Sequence, residues 1–204
     1  MLIAGAGGHA LEIKEELEKL HRTMEFQFFD DAGYQLNSPL RSYPLYQDLN
    51  LTKTKFALEP QFALGIGNPD YREKFTMSFE DIGGHYFPVH SCTAEVSVSA
   101  QGLFDAMAFS FVGPKTKFGK AVLVNSRANV HHEAQIGDFT EIGPGALILG
   151  QVKIGRKCRI GAGAVLLPGV QLGDQVIVGA GAVVTKNIGS DQVVVGVPAK
   201  PFAH

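Results

Sequence analysis

The sequence predicts an α/β domain followed by an all-β domain, with a small parallel α/β fold over residues 1–90 and a parallel β-helix over residues 91–204. Two observations lead to this prediction. From Val112 to Val184, an aliphatic or aromatic residue occupies every sixth position, thirteen times in succession. Residues 1–90 lack this spacing and instead alternate short apolar runs with helical patterns, which is typical of a parallel sheet.

The six-residue spacing lies inside a longer period of eighteen. Segments 143–147, 161–165 and 179–183 are similar to one another, each starting with Gly and ending with an aliphatic residue. A unit of six residues cannot bury its own apolar side chain, so the units must stack into a continuous interior. Three hexads therefore form one coil of a triangular prism, with coils roughly 4.8 Å apart.

The sequence pattern of the N-terminal region predicts strands that alternate with helices. The first helix is expected to turn Leu11, Leu17 and Leu20 inward, and Asn68 is expected to cap the second helix, with Pro69 at its first position. Residues 32–55 carry little pattern and are expected to form a loop with one short strand. The expected elements are strands at 1–4, 26–29, 43–45, 62–67 and 86–89 and helices at 11–21 and 70–81.

A glycine-rich turn follows the first strand. Gly5, Gly7 and Ala10 fit the spacing of a dinucleotide-binding fingerprint, and the acidic pair Asp30-Asp31 follows about twenty positions later. The region is too small for both halves of a dinucleotide fold, so we expect one nucleotide to bind here. The alternative is a tight strand-to-helix turn, with Asp30-Asp31 as a solvated turn.

Composition excludes several classes of partner. The net charge is -2 and the pI is about 6.4, so no basic surface for nucleic acid is indicated. No apolar run approaches the roughly 20 residues of a membrane span, and we expect a cytoplasmic protein. Cys92 and Cys158 lack the spacing of a metal or redox site, and we expect no metal.

The hexad framework separates two adjacent histidines. His131 takes a position close to the prism wall, where a structural role is expected, whereas His132 falls at an outward-facing corner. Adding eighteen places Gly150 above His132. A neutral imidazole beside an unhindered backbone N–H suits acyl transfer, because one accepts a proton and the other stabilises an oxyanion.

Glu133 is the second candidate for this chemistry, since a carboxylate can stabilise an imidazolium. Adjacent strand residues point in opposite directions, so pairing with His132 requires a bend at the corner or a second subunit. The alternative is a surface His beside a surface Glu.

The combination of these motifs resembles the hexapeptide-repeat nucleotide-sugar acetyltransferases of the bacillosamine and perosamine N-acetyltransferase type, which are related to sialic acid O-acetyltransferases. The resemblance covers nearly the whole chain. It implies a Rossmann-like N-terminal domain, a left-handed β-helix and a homotrimer that binds acetyl-CoA. The matching features are the turn ending in Gly8-His9, Asp30-Asp31, Ile66-Gly67-Asn68, the hexads and the ending 195–200.

The resemblance also implies roles for individual residues. The catalytic pair falls on His132 and Glu133. Many relatives have a His nine residues after the catalytic one, whereas this chain has Glu141, so that coenzyme contact is expected to differ. Coenzyme-binding positions fall on Glu141, Gly150, Ala162 and Ala180, and substrate-binding positions fall on Gly7, Gly8, His9, Asp30, Asp31, Gly67 and Asn125.

The resemblance implies acetyl-CoA-dependent N-acetylation of a nucleotide-linked 4-amino-deoxy sugar, in polysaccharide or glycan biosynthesis. O-acetylation of sialic acid or another sugar is one alternative. A non-catalytic nucleotide-sugar-binding protein is an alternative of another class. A β-helical zinc carbonic anhydrase would need three converging histidines, and the adjacent pair His131-His132 lacks a third within the coils.

Overall fold

The computed structural model of the chain describes residues 1–20, 23–32 and 38–202. The chain divides into two compact units, Met1–Cys92 and a second that begins at Thr93.

The first unit is built on a five-stranded parallel sheet in the order β3-β2-β1-β4-β5. The order reverses at β1, which places the switch point of the sheet between β1 and β4. The elements are β1 (Leu2–Ala4), α1 (Gly8–Leu20), β2 (Gln27–Phe29), β3 (Leu45–Tyr46), α2 (Leu49–Phe56), β4 (Gln61–Leu64), α3 (Pro69–Asp81) and β5 (His85–Tyr86), with a 3₁₀ turn at Pro39–Ser42.

Helix α1 begins at Gly8, three residues earlier than predicted, because the glycine-rich turn runs directly into it. Its buried apolar face is Ala10, Ile13 and Leu17, an i, i+3, i+7 stripe. Leu20 is 40% exposed at the end of the helix, so the prediction that it points inward was wrong. The predicted end at His21 lies outside the described residues.

The prediction of a loop over residues 32–55 was wrong at its end, where α2 forms. The Asp48 side chain caps this helix by accepting the Asn50 N–H at 2.7 Å. Only Thr52 and Phe56 are buried, which is too few to show a helical period in the sequence. The expected short strand is Leu45–Tyr46. Residues 33–37 of the predicted loop lie outside the described residues.

Helix α3 agrees closely with the sequence. The Asn68 side chain accepts the Asp70 N–H at 2.9 Å, and Pro69 is the first helical residue. Phe79 packs edge-on against Phe29 and Phe62 of the sheet, with both pairs of ring centroids 5.1 Å apart. The helix begins five residues after the last residue of β4, near the carboxyl end of that strand.

The second unit is a parallel β-helix with three faces. The first face consists of β6, β8, β10, β13, β16 and β19, and the other two meet at β9, which continues around a corner and also pairs with β7. The strands are β6 (Glu95–Val96), β7 (Gln101–Ala106), β8 (Phe111–Val112), β9 (Lys117–Val124), β10 (Asn129–Val130), β11 (Gln135–Ile136), β12 (Glu141–Ile142), β13 (Leu147–Ile148), β14 (Lys153–Ile154), β15 (Arg159–Ile160), β16 (Val165–Leu166), β17 (Gln171–Leu172), β18 (Ile177–Val178), β19 (Val183–Val184), β20 (Val193–Val195) and β21 (Lys200–Pro201).

The six-residue series forms the interior of this unit. Every residue of the series is buried, and Phe118 is the most exposed at 7%. The register between coils is eighteen residues throughout the regular part, as in the pairing of Ile142 with Ile160 and of Ile160 with Val178. The predicted prism of three hexads per coil is therefore confirmed.

Candidate active site

His132 lies at the corner between β10 and β11, and Gly150 occupies the same corner of the next coil. A β-carbon added at Gly150 would lie 2.6 Å from both Cε1 and Nε2 of His132. The imidazole therefore rests against the Gly150 backbone in space that any side chain would fill. The Gly150 N–H donates to no acceptor in the part of the chain that the structure describes, while its carbonyl accepts the Gly169 N–H at 3.0 Å.

Glu133 pairs with His132 within the same chain. Its φ of +62° bends the backbone at the corner, and its Oε2 lies 3.1 Å from His132 Nδ1. Gln151, one coil further on, donates from Nε2 to the same carboxylate oxygen at 3.3 Å. Hydrogen bonds from His132 first, and then from Gln151, lower the pKa of Glu133. An ionised Glu133 that accepts from Nδ1–H leaves Nε2 as the basic nitrogen, on the side of Gly150.

Glu141, the position where the sequence departs from many relatives, is held by an ion pair. Its side chain is buried, and Oε2 accepts from Arg159 Nε at 2.9 Å. The two residues are paired in register on β12 and β15. Arg159 was not predicted as a site residue, although its spacing of eighteen from Glu141 could have revealed it. Its side chain is 55% exposed, so this pair presents a cation at the surface.

The predicted coenzyme-binding alanines form a column with Pro144. The Pro144 carbonyl accepts the Gly163 N–H and the Ala162 carbonyl accepts the Gly181 N–H, both at 2.9 Å. Ala162 and Ala180 are both exposed. The column is therefore an exposed strip that carries only proline and alanine side chains.

Asn125, the predicted substrate contact in this unit, is half-buried at the end of β9. Its N–H donates to the Ile142 carbonyl at 2.9 Å, and its Oδ1 accepts the Ser126 N–H at 2.8 Å. Its side-chain nitrogen donates to no described residue, which leaves one polar group available to a ligand.

The other predicted substrate residues surround one cavity of the first unit. It has a volume of about 430 Å³ and lies at the carboxyl ends of β1, β2 and β4, at the switch point where open α/β sheets bind ligands. Tyr71 and Phe75 of α3 also line it and were not predicted. The predicted residues on its wall are Gly7, Gly8, His9, Asp30, Asp31 and Gly67.

Asp30 organises the floor of this cavity. Its two carboxylate oxygens accept the N–H groups of Ala6 and Ala32, each at 3.0 Å. Gly5 stands beside it with φ of +93°, and a β-carbon there would lie 2.6 Å from the Ile66 side chain. The hydrogen bond from Ala6 to Asp30 therefore joins the predicted glycine-rich turn to the predicted acidic pair. Asp31 differs from Asp30, because its carboxylate pairs with Lys74 Nζ at 2.6 Å.

His9 offers a second polar group to the cavity. Its Nδ1 lies 2.9 Å from Oε2 of Glu12, and this hydrogen bond lowers the pKa of Glu12. Its Nε2 is buried and has no hydrogen-bond partner among the described residues. With Nδ1 donating to the carboxylate, Nε2 is an acceptor that a ligand hydroxyl or N–H could satisfy.

Among residues 1–20, 23–32 and 38–202, no group of three or more His, Cys, Asp or Glu side chains could hold a metal ion. No helix there is both long enough and apolar enough to cross a membrane.

Known proteins share both units. Residues 1–79 match the family described as PglD N-terminal domain, and residues 151–186 match the family described as bacterial transferase hexapeptide (six repeats). The acetyltransferase domain of PglB from Neisseria gonorrhoeae FA1090, solved in complex with acetyl coenzyme A, is 30% identical. That match covers 98% of each chain with a TM-score of 0.88.

PerB from Caulobacter crescentus, solved with CoA and GDP-perosamine, is 28% identical over 99% of this chain and 96% of that chain, with a TM-score of 0.89. A variant of the Caulobacter crescentus perosamine N-acetyltransferase, with one histidine replaced by asparagine, is 27% identical over 100% and 96%, with a TM-score of 0.90. The predicted fold class, a Rossmann-like domain followed by a left-handed β-helix, is confirmed. The chain belongs to the hexapeptide-repeat nucleotide-sugar acetyltransferases of the bacillosamine and perosamine N-acetyltransferase type.

Proposed function

We propose that this protein transfers the acetyl group of acetyl-CoA to the amino group of a nucleotide-linked 4-amino-deoxy sugar, with His132 as the general base. The observation that carries the proposal is the placement of His132 Nε2 against the backbone of Gly150, whose N–H donates to no described acceptor. A base and an oxyanion donor on neighbouring coils are the two groups that aminolysis of a thioester needs.

Acetyl-CoA supplies the thioester carbonyl that the amine attacks. His132 Nε2 accepts the proton that the amine loses as its nitrogen bonds to the carbonyl carbon. Glu133 accepts from Nδ1–H and stabilises the imidazolium that results. The Gly150 N–H donates to the carbonyl oxygen as it gains negative charge. The imidazolium then returns its proton to the sulfur that leaves, which closes the cycle without a metal.

Residues of both units fit the two substrates. The exposed column of Ala162 and Ala180 leaves a smooth strip for the pantetheine arm, and the Arg159 guanidinium beside Glu141 offers a cation for its phosphates. Gly7, Gly8 and the start of α1 present backbone N–H groups to a diphosphate, which helix N-termini favour. Asn125, whose side-chain nitrogen donates to no described residue, is the contact that we propose for the acceptor sugar.

We also infer that the protein acts as a homotrimer. The first face of the β-helix carries a half-exposed apolar set that includes Leu147, Leu149, Val165 and Leu167. Burying such a face against another copy would remove apolar surface from water, and closed symmetry is the general expectation for homo-oligomers. Molar mass by light scattering tests this, and a monomeric mass would contradict it. A cytoplasmic location and a role in polysaccharide or glycan biosynthesis complete the proposal.

The proposal is tested by turnover. Purified protein is incubated with acetyl-CoA and a panel of UDP-, dTDP- and GDP-linked 4-amino sugars, with thiol release as the readout. We expect one sugar to yield coenzyme A and an amide-bearing product. Release with a hydroxyl acceptor such as sialic acid, and with no amino sugar, would favour O-acetylation. Nucleotide-sugar binding without any turnover would indicate a non-catalytic binding protein.

A further inference from the structure

Lys115 lies one coil before Glu133, at the same corner of the β-helix. Lys115, Glu133 and Gln151 follow one another at intervals of eighteen residues, and their φ angles are +58°, +62° and +63°. The Glu133 N–H donates to the Pro114 carbonyl at 3.0 Å, and one coil further on the Gln151 N–H donates to the His132 carbonyl at the same distance. The three side chains therefore leave the corner in the same direction, on neighbouring coils roughly 4.8 Å apart.

The Glu133 carboxylate has hydrogen-bond partners at one of its two oxygens. Its Oε2 lies 3.1 Å from His132 Nδ1 and 3.3 Å from Gln151 Nε2. Its Oε1 accepts from no residue that the structure describes. The Lys115 side chain is exposed and forms no ion pair with a described residue. Its ammonium can therefore approach Oε1 from the preceding coil, opposite Gln151.

Lys115 is the cation of this corner that acts on Glu133. The charged or titratable side chains of the corner and of the strands beside it are Lys115, Lys117, His131, His132, Glu133 and Lys153. Lys117 and Lys153 belong to β9 and β14, on the face that follows the corner. Hydrogen bonds from His132 and then from Gln151 lower the pKa of Glu133, and the charge of Lys115 lowers it further.

A general base must be neutral before it can accept a proton. The negative charge of Glu133 stabilises the imidazolium during the reaction, but it also favours protonation of His132 before the amine is bound. A positive charge beside the carboxylate offsets this second effect. General base catalysis is most efficient when the base is poised near the working pH, so a balance of the two charges serves the reaction.

We propose that Lys115 is a positioning residue for the acetyl transfer, whose ammonium offsets the charge of the Glu133 carboxylate and thereby keeps the His132 imidazole neutral at the working pH. This inference rests on the proposed function and adds the preceding coil to the catalytic corner. Lys115 acts through Glu133 rather than on the substrates. The corner then holds one base, one carboxylate and one compensating cation on successive coils.

The role of Lys115 is tested by NMR titration of the His132 ring in the full-length protein, with its signal assigned by its loss in His132→Asn. In roughly 0.1 M salt, Lys115→Met is expected to raise the titration midpoint of this ring by about 0.3 pH unit, the effect of a partly screened unit charge roughly 6 Å away. Lys115→Arg keeps the charge and should titrate at the wild-type midpoint. Both replacements keep an unbranched side chain at a positive φ, so the Tm should not change. The acid limb of the pH–rate profile of Lys115→Met should also move to higher pH, which a purely structural role would not cause.

Lys186→Met is the matched control. Lys186 is exposed at the same corner, three coils after His132 and so roughly 14 Å away, beyond the Debye length of about 10 Å at 0.1 M salt. Its loss should leave the His132 midpoint unchanged. An unmoved midpoint in Lys115→Met would overturn the inference, and so would an equal rise in Lys115→Arg. The midpoint is measured without turnover, so failure of the proposed function looks different: the midpoint responds to Lys115, yet no amino sugar is acetylated.

Discussion

The imidazole of His132 lies against Gly150 of the next coil, so closely that a β-carbon at position 150 would be 2.6 Å from Nε2. The base and the backbone N–H of the proposed site are thus held by the stacking of coils, without any intervening side chain. Coil stacking is set by the buried hexad residues, so the core of the β-helix determines the geometry of the site.

The first prediction concerns Gly150. Gly150→Ala must displace the imidazole, and a shift of about 1 Å at a reacting group can lower the rate about 10²-fold. We expect kcat to fall by about that factor, with little change in Tm. Gly189→Ala is the control, since its β-carbon would meet only the flexible Gln192 side chain at 3.4 Å. Wild-type kcat in Gly150→Ala would show that the contact does not serve catalysis.

The second prediction concerns the pH dependence of the rate. Hydrogen bonds from His132 and Gln151 lower the pKa of Glu133, so its carboxylate stays charged at neutral pH. Glu133→Gln removes a charge that favours the imidazolium. We expect kcat to fall about tenfold, less than the roughly 10²–10⁴-fold attributed to a general base. The acid limb of the pH–rate profile should move to lower pH, and an unmoved limb would contradict the pairing.

The third prediction concerns Gln151, which donates to the same carboxylate oxygen as His132. Gln151→Met frees Glu133 to rotate into solvent, and we expect a smaller loss of kcat than in Glu133→Gln, with unchanged KM values. Once Glu133 is replaced, Gln151 has no carboxylate to position. The double variant should therefore be no slower than Glu133→Gln, and fully additive losses would refute a positioning role.

The fourth prediction concerns the alanine column. Ala162→Leu adds a branched side chain to the strip proposed for the coenzyme, so we expect the KM for acetyl-CoA to rise about tenfold, the lower range for a misfit group in a pocket. The KM for the sugar nucleotide should not change. Gln171→Leu, an exposed position on another face, serves as control. Equal KM values in the two variants would remove Ala162 from the coenzyme site.

The regular part of the second unit could be predicted from the sequence because its hexad is strict. A spacing of eighteen residues predicts that Gly150 stacks on His132 and that Ala180 stacks on Ala162. The structure shows both pairs stacked on neighbouring coils. The same spacing would have linked Glu141 to Arg159 and Glu133 to Gln151. Neither pair was predicted, because the exposed polar positions of the hexad follow no period of their own.

The first unit was harder to predict, since the residues that contact one another in it do not recur at a fixed spacing in the sequence. The Asp31–Lys74 pair spans 43 residues of sequence, and no local pattern marks it. Helix α2 buries only Thr52 and Phe56, so its existence could not be predicted from hydrophobic periodicity. The glycine-rich turn could be predicted from its glycines. Gly5 has a positive φ, a conformation that other residues rarely adopt, so the turn requires glycine at this position.

The most direct test of the central claim is single-turnover acetyl transfer by His132→Asn, which replaces the imidazole with a smaller side chain that cannot act as a base. With saturating acetyl-CoA and the preferred amino sugar, we expect the rate of the chemical step to fall at least about 10²-fold. Binding of both substrates and the Tm should stay near wild-type values. A wild-type rate in this variant would contradict the assignment of His132 as the base.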